Sequence, residues 1–134
     1  MQTLKISGKQ SVTGKIMDRV KTFEDACNEL GIQKSELAVS GEIESDFRSI
    51  SAYAKLIIIA RALNEGWVPD WANDSQYKYY PWFDMSSGSG LSYDGCVGRI
   101  SISTVGSRLC FKSSELAVYA GKQFIDVYKD FFII

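Results

Sequence analysis

The stretch YKYYPWFDMSSGSGLSYDGCVGRI, residues 77–100, decides the fold class. Over residues 77–83 the side chains follow the two-residue period of a strand, in which alternate positions face opposite sides of a sheet. Pro81 has no N–H to give to a ladder, so this strand belongs at a sheet edge or ends there. Residues 86–90, Ser-Ser-Gly-Ser-Gly, read as a flexible connection. Asp94-Gly95, between Leu91-Ser92-Tyr93 and Cys96-Val97, is a two-residue hairpin signal, since both residue types tolerate the positive φ of such turns. Residues 97–102 alternate, 104–106 turn, and 107–112 alternate again. The expectation is a three- to four-stranded antiparallel meander between residues 77 and 112.

On either side of it the period changes to that of a helix. Ser113 is a natural N-cap with Glu115 in the first turn behind it, and Leu116, Ala117, Ala120, Phe124, Val127, Tyr128 and Phe131 form a large apolar stripe. Gly121 within that helix costs about 1 kcal/mol relative to alanine, which points to close approach by a neighbouring element. Upstream, Thr22 caps a helix over 23–30 that stops at Gly31, with Phe23, Ala26, Cys27 and Leu30 on one face. Four acids between residues 36 and 46 suggest an exposed loop; Ser45 then caps a long helix that runs to about residue 64, with Gly66 as its stop. That helix is apolar over more than one stripe, which predicts burial of two faces at the centre of the domain. The fold class is therefore α+β: N-terminal helices, the meander, then a C-terminal amphipathic helix packed on the sheet. Residues 1–21, with five cations against one acid, read as a basic arm. Its composition suits a polyanion-tracking segment or, more commonly, a mobile solvated terminus. Residues 22–134 form a single domain.

Composition narrows the chemistry. A chain of 134 residues buries roughly two-thirds of its unfolded surface and needs no staple. Net charge is −1, so any electrostatic partner must be met by a local patch. There is no histidine, which removes His-dependent triads and the commonest metal ligand. Cys27, Cys96 and Cys110 lack zinc-type spacing and read as reduced, mostly buried thiols. Residues 1–21 contain no apolar run of the signal-peptide kind and residues 56–60 are too few to span a bilayer, so the expected setting is the cytoplasm with no membrane contact.

Two surfaces stand out. The segment 67–83 holds all three tryptophans and both prolines, and Trp67, Trp71, Tyr80 and Trp82 are the candidate partner-binding residues. Tryptophans in a small domain mostly serve the core, so two buried and one partly exposed are expected. If Leu109 and Phe111 face inward, Arg108, Cys110 and Lys112 face outward. Arg99, Ser101 and Ser103 then join them while Ile100 and Ile102 point in. Arg99, Arg108 and Lys112 beside Tyr80 and Trp82 would give a basic, aromatic face of the kind that grips single-stranded nucleic acid. No phosphate-binding glycine motif is present. The loop acids Asp70, Asp74, Asp84 and Asp94 suit turns better than a cation, and Cys110 suits packing better than nucleophilic attack. No catalytic residue, metal or cofactor is expected.

The strings Asn64-Glu65-Gly66-Trp67-Val68-Pro69-Asp70-Trp71 and Gly106-Ser107-Arg108-Leu109-Cys110-Phe111-Lys112, with 77–83 and 120–124, resemble a group of small proteins of Bacteroides-type gut bacteria and their phages and mobile elements. The likeness covers roughly residues 22–132. It implies a phage or mobile-element setting inside a cell and is silent on mechanism; a host or phage protein is the partner expected for residues 67–83 and the adjoining sheet. The likeness carries over no activity, because the function of that group is not established.

Overall fold

Phe111 is the residue on which the architecture converges. It is fully buried, its N–H donates to the Tyr79 carbonyl (2.6 Å), and its own carbonyl accepts from the Tyr79 N–H (3.0 Å). This isolated bridge ties a β-hairpin to the segment that leads into the C-terminal helices. The computed structural model describes residues 14–33, 43–87 and 90–134. In chain order these hold α1 (Ile16–Arg19), α2 (Phe23–Leu30), α3 (Glu44–Leu63), β1 (Lys78–Ser87), β2 (Gly90–Arg99), α4 (Ser114–Gln123) and α5 (Ile125–Phe132).

The class is α+β, but the meander is corrected to two antiparallel strands among the described residues. Ser87 pairs with Gly90, so Asp94-Gly95 is not the turn that joins the strands. Asp94 and Gly95 lie inside β2, where these two residues between Tyr93 and Cys96 oppose the single residue Trp82 between Pro81 and Phe83. The pair therefore makes a bulge, with Gly95 at φ 113° supplying the conformation that other residues avoid. β2 ends at Arg99, and beyond it Ile102 is 71% exposed, so residues 100–103 contribute no inward face. Residues 107–112 form no strand: Leu109, Cys110 and Phe111 are buried in succession, which alternation forbids. In a two-stranded ribbon every strand is an edge, and Pro81 fits there as expected.

The helices follow their local signals closely at α2. Thr22 Oγ1 accepts from the Asp25 N–H (3.0 Å), Asp25 Oδ2 accepts from the Lys21 and Thr22 N–H groups (3.0 and 3.1 Å), and Gly31 closes the helix at φ 69°. α3 starts at Glu44 after Ile43, not after a Ser45 cap. Its second half is buried on two faces through Leu56, Ile58, Ile59, Ala60, Ala62 and Leu63, while Phe47 and Ile50 near its start are exposed. The single C-terminal helix is corrected to two, capped by Ser113 as expected and broken at Phe124. The basic arm is shortened as well: α1 is folded, and Ile16 and Val20 are buried in the core. Residues 1–13 and the acidic loop at 34–42 lie outside the described residues.

One face of the hairpin carries α4 and α5. A Cβ on Gly121 would lie 2.7 Å from Pro81 Cβ and from the Tyr93 ring, so the glycine permits the close approach foreseen for it. Phe83 meets Tyr128 at 4.8 Å and Phe132 at 5.8 Å between ring centroids. On the far side of the helical layer Tyr119 donates to the Val20 carbonyl (2.6 Å), and Ser49 donates to that of Phe131 (2.8 Å).

Candidate functional site

Three residues of α3, Tyr53, Ile57 and Arg61, are spaced four apart and therefore stand one above the other on the helix surface. They form one side of an open groove of about 650 Å³. At the end of α3 the chain turns through two left-handed residues, Glu65 (φ 50°) and Gly66 (φ 86°), and the Trp67 N–H donates back to the Asn64 carbonyl (2.9 Å). That turn delivers Trp67, Val68 and Pro69 to the groove. Val105, Gly106, Ser107 and Arg108 complete its lining.

The frame beneath is held by hydrogen bonds. Asn64 is buried; its Nδ2 donates to the Cys110 carbonyl (2.9 Å) and its Oδ1 accepts from the Lys112 N–H (3.1 Å), which fixes residues 110–112 against the end of α3. Ser103 Oγ accepts from the Val105 and Gly106 N–H groups (3.0 and 2.9 Å) and shapes the turn before Arg108. Trp71 Nε1 donates to Ser107 Oγ (2.6 Å), and the Lys78 ammonium lies 5.1 Å from the centre of the Trp71 ring. Lys78 is itself buried and donates to the Asn73 carbonyl (3.2 Å).

The electrostatics are one-sided. Arg61 and Arg108 both line the groove, both are exposed, and neither has an ion-pair or hydrogen-bond partner among the described residues. Among the described residues, no carboxylate lines it. The nearest acid in sequence to this turn, Glu65, is engaged with Arg19 (3.6 Å) and Lys112 (3.7 Å). Behind the lining, burial pushes the Cys110 thiol up to about 11, and its sulfur faces the Ser107 carbonyl at 3.5 Å. A protonated thiol there is packing material and not a nucleophile.

The structure sorts the sequence candidates. Trp67 lines the groove; Trp71 fastens the loop to Ser107; Tyr80 is buried and unavailable to a partner; Trp82 is 49% exposed on β1 and lies outside the groove lining. No tryptophan is buried, which corrects the expectation of two. Of the cations, Arg108 is in the groove, Lys112 is paired with Glu65, and Arg99 is exposed at the end of β2. With no strand at 107–112, these three share no sheet face, and the basic face is withdrawn. Asp70 and Asp84 accept hydrogen bonds from the N–H groups two residues on, at Ala72 and Ser86, as turn formers do, whereas Asp74 accepts from the distant Ser101 hydroxyl. No metal-binding cluster occurs among the described residues. Sequence reading missed Tyr53, Ile57, Arg61 and Val105. Arg61 carried a signal: it is the lone charge in Leu-Ile-Ile-Ile-Ala-Arg-Ala-Leu, residues 56–63.

No helix among the described residues is long and apolar enough to cross a membrane. The chain matches no protein-family model, no curated protein and no solved structure.

Proposed function

We propose that this protein is a non-enzymatic binding module of a phage or mobile element, and that it receives a segment of a host or phage protein in the groove beside Trp67. The observation that carries this reading is an open groove of mixed polar and apolar lining, with Val68 76% exposed at it, whose two arginines have no partner among the described residues. Tryptophan and arginine are the residue types that dominate protein interfaces. The groove's frame is tied by Asn64, Ser103 and Trp71 before any partner arrives, so little ordering entropy opposes association. Among the described residues Ser107 is the one hydroxyl nucleophile of the lining apart from the Tyr53 phenol, and a chain without histidine offers it no ordinary base.

The test is affinity capture from host lysate with the tagged protein, its Val68→Asp and Trp67→Ala variants, and Trp82→Ala as a control outside the groove. Each capture is run with and without nuclease. The reading requires a protein that survives nuclease, is lost with both groove variants and is kept by the control. Capture indifferent to folded groove variants overturns it, and so does material lost entirely on nuclease treatment.

A further inference from the structure

We infer that the groove takes an acidic, extended peptide segment, with side-chain carboxylates on Arg61 and Arg108 and an apolar side chain against Trp67 and Val68. This rests on the binding-module reading and names the chemistry of its partner. Arg61 and Arg108 come from two separate segments of the chain, α3 and the turn after Val105, and they bring two positive charges to a lining that contains no carboxylate among the described residues. A guanidinium presents a planar fork of donors that matches a carboxylate in two parallel hydrogen bonds. Two such forks call for two carboxylates, which a run of Asp or Glu side chains supplies and a single chain terminus does not.

The lining that carries the arginines also holds apolar side chains. Ile57, Trp67, Val68 and Val105 offer contact area for an aliphatic or aromatic anchor. Nucleic acid fits less well. Tracking a phosphate backbone calls for a continuing series of cations and free stacking planes. Here Lys112 is already paired with Glu65, and Tyr53 is already stacked on Phe131 at 5.5 Å between centroids.

The experiment is selection from a displayed library of random peptides, made with free and with blocked C-termini, against the wild-type protein. The expected winners carry Asp or Glu flanking a bulky apolar residue, with free and blocked termini enriched alike. Synthesised winners should bind roughly tenfold more weakly to Arg61→Gln and to Arg108→Gln, the usual loss for a charged hydrogen-bond partner. They should bind Arg99→Gln as they bind wild type. Arg61→Glu should shift the selected sequences toward basic residues, a change that a merely structural arginine would not produce. Thermal unfolding of each variant establishes that it is folded. Neutral or basic winners, no winners, winners that need a free C-terminus, or acidic winners blind to both arginine variants overturn the inference. Displacement of winners by a single-stranded oligonucleotide whose own binding needs Arg61 overturns it in favour of nucleic acid. Capture of a protein that depends on Val68 but not on charge would leave the binding module standing and remove only its acidic specificity.

Discussion

Around Gly121 the aromatic side chains of the hairpin are packed against helices, whereas Trp67 stands half exposed beside arginines that have no partner among the described residues. In the first region Pro81 and Tyr93 close on the glycine, and Phe83 meets Tyr128, whose phenol is pushed up by complete burial. In the second, Trp67 and Val68 sit on a turn whose rigidity comes from hydrogen bonds beneath them and not from their own burial. The same residue types thus contribute to stability in one place and remain available to a ligand in the other. The contrast predicts that substitutions near the hairpin core act on folding, and substitutions at the groove act on binding.

The largest effect should come from Phe111→Ala. The side chain is fully buried and its backbone bridges Tyr79, so truncation leaves a cavity at the junction of hairpin and helices. Large-to-small changes of this kind cost about 3–5 kcal/mol, which for a domain of this size lowers Tm by roughly 10–20 °C. Chemical denaturation with Phe111→Leu as a milder companion checks it. A loss under about 1 kcal/mol would mean that the bridge is peripheral.

Gly121→Ala should come next. The added methyl meets Pro81 Cβ and the Tyr93 ring at 2.7 Å, and overpacking of this kind costs about 1–3 kcal/mol. Alanine returns about 1 kcal/mol in helix propensity, so the net loss should be up to about 2 kcal/mol. A stabilised variant would show that α4 and the hairpin can part without cost, and the packed region would then lose its distinction from the groove.

Much of this was legible in the sequence where the cause is local. Thr22, Asp25 and Gly31 bound α2 because a cap and a left-handed stop act within a few residues. Gly121 announced its close approach for a similar reason, since glycine inside a helix requires compensation. The sheet was misread where tertiary contacts override local period. Residues 107–112 alternate on paper, yet Cys110 is drawn inward between Leu109 and Phe111 because Asn64 clamps its carbonyl. Asp94-Gly95 satisfies a bulge as readily as a turn, and only the register of β1 against β2 decides between them. The break at Phe124 is marked by neither proline nor glycine at that position. Half of the groove was visible as Trp67 and Arg108. Its α3 side was hidden because Tyr53, Ile57 and Arg61 belong to a helix that reads as core.

The cap of α2 gives a smaller, pH-dependent effect. The Lys21 N–H, aided by the Thr22 backbone and hydroxyl, holds the Asp25 carboxyl below the usual carboxylate range. A carboxyl lowered on folding contributes stability that is present above its unfolded pKa and is lost as pH falls through the folded one. Asp25→Asn should therefore be less stable than wild type near neutrality and converge with it in acid. Thr22→Ala should cost about 1 kcal/mol. Urea unfolding across a pH series measures both. A difference between Asp25→Asn and wild type that persists unchanged in acid would assign the effect to shape and not to charge.

The smallest effects on folding belong at the groove, and they sharpen the comparison most. Val68 is 76% exposed and Arg61 has no partner among the described residues, so Val68→Asp and Arg61→Gln remove no packed contact and strand no polar group. Surface substitutions of that sort leave stability within about 0.5 kcal/mol. Denaturation midpoints should coincide with wild type while partner capture falls. Had these side chains been held in place to support the turn, their removal would lower the midpoint as the hairpin variants do. A loss above about 1 kcal/mol in Arg61→Gln would make the arginine part of the scaffold, and the separation between a region built for folding and one built for contact would fail there.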